Sequence, residues 1–137
     1  MSCFSLRSLT VSTVKVFTLV KAPSTWAQAQ AYCRQHYTDL ALIENAAENS
    51  QVTSVIQSSS WIGLYREPWR WSSNIISSFT NWGSLGDVTG YNCAAENTDH
   101  LWSPQNCDQR LPFFCHGGKT QNLYNHAKNK NVTILYI

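Results

Sequence analysis

Hydrophobic residues open the pattern as a cluster rather than an alternation. Positions 14–20 read Val-Lys-Val-Phe-Thr-Leu-Val, a β-branched-rich run that predicts a strand, and Pro23 is expected to end it. The period then changes. Trp26, Ala29 and Cys33 share one apolar stripe of a 3.6-residue repeat, and Thr25 with Gln28 forms a capping box. A helix over 26–36 follows, with Cys33 facing the core. Asn45 with Glu48 marks a second helix start, and Val52, Val55 and Ile56 keep helical spacing until the serines at 58–60. Beyond that the chain reads as short strands at 61–64, 69–72, 79–82, 93–95, 101–102 and 111–115. A glycine-bearing loop (Gly83, Gly86, Gly90) and a turn at 97–100 separate some of them. Helices first and strands afterwards predict an α+β domain with segregated elements. From Gly117 the chain turns polar, and the strand-like end at 132–137 has no neighbour in the pattern.

Composition narrows the function classes. The chain has 137 residues, 43% hydrophobic and 12% aromatic, enough for one domain with a real core. Only 13% are charged and the net charge is +2, with Lys and Arg scattered. A concentrated basic patch is missing, so nucleic-acid binding is not expected. No apolar run approaches the ~18 residues of a membrane span. The five cysteines (Cys3, Cys33, Cys93, Cys107, Cys115) form no Cys-x-x-Cys pair, which argues against structural zinc and for an oxidised, extracellular domain. A convincing secretory leader is not visible. An atypical leader and a fragment of a longer secreted or anchored protein both stay open. The odd thiol, Cys3, reads either as a free thiol on a frayed terminus or as an interchain disulfide and hence a dimer. Asn131-Val132-Thr133 is a glycosylation sequon at Asn131.

Catalysis finds no constellation. Cys115 and His116 are adjacent, and neighbours on a strand point to opposite faces, which is wrong for a nucleophile and its base. Asp39, Glu44 and Glu48 fall near helix termini, where capping accounts for them. Asp99 and His100 fall in a turn, and no phosphate loop, Ser-His-Asp set or HExxH motif occurs. The expectation is a protein that is not an enzyme.

The pattern of the helix Trp26-Ala27-Gln28-Ala29-Gln30-Ala31-Tyr32-Cys33, then Trp61-Ile62-Gly63-Leu64, Phe79-Thr80-Asn81-Trp82, Cys93, Trp102, Cys107 and Cys115 resembles the C-type lectin-like domain. Its local look is closest to mannose-receptor-type and fish lectin-like domains. The resemblance covers 14–116, leaving 1–13 as an N-terminal segment and 117–137 as a polar tail. It implies two helices, a small mainly antiparallel sheet, a long loop region, and disulfides joining Cys33 to Cys115 and Cys93 to Cys107. The first bridge would contribute about 4–5 kcal/mol and the second roughly 3 by loop-closure entropy.

The family resemblance also implies a place for calcium, which needs six to eight oxygen ligands. Sugar-binding members carry Glu-Pro-Asn or Gln-Pro-Asp in the loop, a Glu before the second cysteine and Trp-Asn-Asp before the third. Here the loop offers Asp87 without a proline, Tyr91 and Asn92 precede Cys93, and Trp102-Ser103-Pro104 replaces the last triplet. Asp87 alone brings a carboxylate, so no calcium cofactor is expected. Glu67-Pro68-Trp69 lies before that loop, where turn chemistry accounts for it. Ligand contacts are instead expected from Tyr65, Arg66, Trp69 and Arg70, with Asp87, Tyr91 and Asn92 beside them, because Trp, Tyr and Arg dominate binding hot spots. Trp26, Trp61, Trp82 and Trp102 are assigned to the core, as is Trp71, while Trp69 reads equally as core or contact. The expected function is a non-enzymatic, calcium-independent extracellular recognition module for a glycan or a protein. A calcium-dependent lectin and a structural, assembly or ice-binding subunit remain as alternatives.

Overall fold

The computed structural model describes residues 15–66, 69–85 and 89–117, and the backbone of 132–134. Cys3, Glu67, Pro68, Asp87 and Asn131 lie outside the described residues. In chain order the elements are β1 (Val16–Ser24), α1 (Trp26–His36), β2 (Asp39–Leu40), α2 (Ala46–Thr53), β3 (Ser60–Tyr65), β4 (Arg70–Trp71), β5 (Cys93–Glu96), β6 (Trp102–Gln105), β7 (Leu111–Gly117) and β8 (Val132–Ile134). One mixed sheet runs β6-β5-β3-β7-β1-β8, with β2 added on β7 and β4 on β3. Every pairing is antiparallel except β3 with β7, which meet at Trp61 and Phe113.

Both helix starts are as the capping residues predict. The Thr25 hydroxyl accepts from the Gln28 N–H at 3.3 Å, and the Thr25 N–H donates to Gln28 Oε1 at 3.2 Å. Asn45 Oδ1 accepts from the Glu48 N–H at 2.9 Å. The second helix, however, stops at Thr53, not near 58. Ser50 and Thr53 hydroxyls donate back to the carbonyls of Ala46 and Ser50, and Ser54 to Gln51, so side chains compete for the helix carbonyls.

Three strand boundaries also differ. β1 continues through Pro23, because the register with β7 shifts between Val20 and Ser24 and exposed residues 21–23 need no ladder bond there. Positions 79–82 form no strand; their only sheet-like contact is a single bridge between Trp82 and Trp102. The chain end is not isolated: Val132, Thr133 and Ile134 pair with Val20, Leu19 and Thr18 of β1.

The sheet is buried on both faces, which explains the unalternating hydrophobic runs. On one side Val20, Leu40, Trp61, Phe113 and Cys115 pack with Trp26, Ala29 and Cys33 of α1. On the other, Phe17, Leu19, Ile62, Leu64 and Phe114 pack with Val52, Trp71 and Trp102. The disulfides join Cys33 to Cys115 and Cys93 to Cys107, with Cα–Cα separations of 5.3 and 5.2 Å. The first ties α1 to the strand that pairs with β1, β2 and β3.

Gly63 sits at the closest backbone approach in this core. A Cβ there would lie 3.0 Å from the Ala41 carbonyl oxygen and 3.1 Å from that of Leu40, and the Gly63 N–H donates to Ala41 at 2.9 Å. Backbone cannot swing aside as a side chain would. Gly63→Ala is therefore expected to cost about 1–3 kcal/mol, read as a lower urea midpoint at unchanged slope.

Candidate functional site

The segment from Ser72 to Gly83, which follows β4, is fastened at both of its ends. At its start Ser72 is the anchor. Its N–H donates to the Gly63 carbonyl at 2.6 Å, and its hydroxyl donates to Asp39 Oδ1 at 2.6 Å and accepts from Gln30 Nε2 at 2.7 Å. Arg34 Nη2 adds a bond to the Ser72 carbonyl at 2.9 Å. Asp39, expected to act as a helix-end capping residue, is instead a buried acceptor in β2 that also takes the Leu40 N–H at 2.8 Å.

The chain then turns at Asn74, whose φ of 58° is left-handed and whose N–H donates to the Trp71 carbonyl at 2.9 Å. It returns along Trp102. The Trp102 N–H donates to the Asn81 carbonyl at 2.8 Å, its carbonyl accepts from Gly83 at 2.9 Å, and Asn81 Nδ2 donates to the His100 carbonyl at 2.6 Å. Between the outgoing and returning arms lies a cavity of about 470 Å³, walled by Leu64, Trp69, Trp71, Phe79, Trp82 and Trp102. Trp102 is fully buried, and the rings of Trp71, Phe79 and Trp82 stand edge-on to it at 5.4, 5.6 and 5.8 Å. Trp69 packs on Trp82 at 4.7 Å, and the Arg66 guanidinium lies 5.9 Å from the Trp69 ring.

This geometry divides the residues that sequence reading grouped together. Trp69 and Arg70 line the cavity. Tyr65 does not; it leans on Trp26 at 5.3 Å, within the α1-side cluster. The Arg66 N–H donates to the Asn92 carbonyl at 2.8 Å, and Tyr91 and Asn92 are exposed just before β5. Trp82, expected in the core, is only half-buried and forms cavity wall, because positions 79–82 return as loop instead of pairing in the sheet. Trp26, Trp61, Trp71 and Trp102 are core. Sequence reading missed Ile75 and Ile76, 47% and 96% exposed at the cavity mouth. The available signal was an aliphatic pair standing alone between serines and an asparagine.

Of the positions implied for calcium, those among the described residues carry no carboxylate. Ser103 and Pro104 lie within the β5–β6 ladder opposite Ala95 and Ala94. The Ser103 hydroxyl faces the Ala95 carbonyl at 3.5 Å and accepts from Gln105 Nε2 at 3.1 Å. Tyr91 and Asn92 bring a phenol and an amide, and no carboxylate. Among the described residues no three His, Cys, Asp or Glu side chains form a metal-holding group. Nor do Cys115 and His116 form a nucleophile and base. The Cys115 sulfur is in the disulfide, and burial holds the His116 imidazole below its usual range, with Nδ1 2.9 Å from the Leu40 carbonyl.

Glu96 is the one fully buried carboxyl of the described core. It faces the Trp102 indole and the Asn49 amide, yet neither carboxyl oxygen has a well-formed hydrogen bond; the Trp102 Nε1–H donates instead to Asn49 Oδ1 at 3.1 Å. Burial raises its pKa from 4.5 to about 7. Below 4.5 the carboxyl is neutral whether folded or unfolded, so nothing is lost. Between pH 4.5 and about 7 the unfolded chain ionises this carboxyl while the folded one resists, so stability falls by about 3 kcal/mol over that window and levels off above it. Glu96→Gln is expected to raise the melting temperature at about pH 8 and leave it nearly unchanged near pH 4.5. Parallel pH profiles for the two proteins would refute this.

The lectin C-type domain family matches residues 22–117. Human lymphocyte antigen 75 is 30% identical over 101 residues, 66% of this chain and 6% of that protein. Mouse L-selectin is 25% identical over 115 residues, 72% of this chain and 31% of its own length. The chain therefore spans less than a third of either relative. The structure of human lithostathine superposes with a TM-score of 0.71 at 23% identity, covering 77% of this chain and 92% of the other.

Proposed function

Because this chain belongs to the C-type lectin family, we propose that it is a non-catalytic extracellular recognition module that meets its ligand at the aromatic cleft without calcium. The observation that carries this reading is the continuity of Trp69 and Trp82 with the exposed Ile75 and Ile76, one apolar surface on a loop held by the sheet. Two disulfides, Cys33–Cys115 buried and Cys93–Cys107 partly so, support an oxidising compartment. Ser103, Pro104, Tyr91 and Asn92, in place of carboxylates, support independence from calcium.

A protein surface is the ligand this face favours. Stacking a sugar on one of these rings gains dispersion and some apolar burial, whereas each hydroxyl buried without a partner costs about 1–3 kcal/mol. Apart from the indole N–H groups, hydrogen-bonding side chains on the cavity wall are Arg70, Asn74, Ser77 and Thr80, few for the hydroxyls of a buried sugar, so a sugar would sit at the rim. A glycan is the second reading, supported by the half-exposed Trp69 ring beside Asn74 and Thr80.

Two measurements test these claims. Isothermal titration with millimolar calcium is expected to show no saturable heat. Saturable binding that Asp87→Ala abolishes would restore a calcium-dependent lectin. A glycan array run with calcium and with chelator is expected to retain nothing that depends on the ion. A glycan retained in chelator and lost at least tenfold in Trp69→Ala would decide for the sugar reading over the protein one.

A further inference from the structure

We infer that the interior of the cavity bounded by Trp69, Trp71, Phe79, Trp82 and Trp102 binds a neutral, largely apolar small molecule of about two to three fused rings. This concerns the interior of the same cleft whose rim the recognition reading uses, and it stands whether or not that rim meets a protein or a glycan. Size comes first. A cavity near 150 Å³ lined by Leu, Ile and Phe holds one benzene ring, and small-molecule sites span roughly 300–1,000 Å³. At about 470 Å³ this one is some three times the benzene site, too large for one inserted side chain to fill.

Chemistry sets the class. Five of the lining side chains are aromatic and three more (Leu64, Ile75, Ile76) are aliphatic, while no Asp or Glu is among them. The aromatic rings meet at angles from 49° to 89°, so the walls present both faces and edges, the two surfaces that flat hydrocarbon rings pack against. Arg70, Asn74, Ser77 and Thr80 add hydrogen-bonding groups to the wall, enough for one or two polar atoms and far fewer than a sugar requires, and Arg70 is exposed, so its charge stays hydrated at the rim. Access is through the mouth, where Ile76 is 96% exposed, so apolar surface continues from solvent inward. The deep wall is held in place, because Trp102 is bonded through its backbone to Asn81 and Gly83 and through its indole to Asn49.

The test uses the full chain and the neutral three-ring fluorophore N-phenyl-1-naphthylamine, which brightens in apolar surroundings. A saturable rise at one probe per chain, with loss of tryptophan emission by energy transfer and no competition from methyl mannoside, is expected. Ile76→Asp places a charge at the mouth of a site whose fold does not use that side chain, and should weaken binding at least tenfold. Thr80→Trp narrows the cavity from an exposed position and should do the same, with circular dichroism and melting temperature showing that both variants are folded. Absence of saturation, several probes per chain, or affinity within twofold of wild type in both folded variants would overturn the inference. None of these outcomes bears on the glycan array or the calcium titration, so the two readings fail separately.

Discussion

The loop that forms the cleft has no strand or helix of its own, and it keeps its shape through Trp102. Both backbone groups of that residue bond to the returning arm, at Asn81 and Gly83, while its indole N–H reaches Asn49 of α2. The same ring is the hub against which Trp71, Phe79 and Trp82 pack. Since Trp102 also pairs with Glu96 in the β5–β6 ladder, the cleft inherits the rigidity of the sheet. Irregular backbone usually moves more than the elements it connects; here its hydrogen bonds end on a buried sheet residue, and local opening would have to break them together. The poorly bonded carboxyl of Glu96 sits at this same junction. A buried acid there makes the junction weaker as pH rises, which couples the stability of the sheet edge to that of the cleft wall.

Sheet burial on two faces sets the second constraint. A strand buried on one side can alternate, but β1, β3 and β7 place large side chains on both sides, and helix α1 alone cannot cover a face of that size. The Cys33–Cys115 bridge fixes α1 to β7, the strand that borders β1, β2 and β3, across a separation of 82 residues. Closing a loop that long removes more unfolded-chain entropy than the Cys93–Cys107 bridge, whose separation is 14. The larger bridge holds the core; the smaller one joins the start of β5 to the chain just after β6, closing off the edge hairpin that carries Trp102.

Local chemistry was the readable part of the sequence. Thr25, Gln28, Asn45 and Glu48 announce helix starts through bonds made within three residues, and these occur as read. The misreadings share a cause: the deciding partner is distant. Pro23 is tolerated because of a register shift against β7, and the aromatic run at 79–82 is loop because its hydrogen bonds go to Trp102 and His100, twenty or so residues on. Asp39 looks like a helix-end acid until Ser72 closes on it from 33 residues away. The candidate contact set was split for a related reason. Tyr65 belongs to the α1 side of the sheet and Trp69 to the cleft, a separation that closeness in sequence hides.

On the recognition reading, the division between scaffold and surface has a consequence for how this domain could change its ligand. Trp102, Trp71 and Gly63 serve the fold, and altering them damages the cleft and the core at once. Ile76 is nearly free of packing, and Ile75 is half-exposed. Surface positions of that kind usually change stability by less than about 0.5 kcal/mol. Ligand preference can therefore be altered at the mouth with little cost to folding, whereas the aromatic depth behind it stays fixed by the sheet. A calcium-based site would not separate the two in this way, because its ligands on β6 would be side chains of the sheet itself. Ser103 and Pro104, at those ladder positions, bring no carboxylate, and on the calcium-independent reading the loop can vary without involving them.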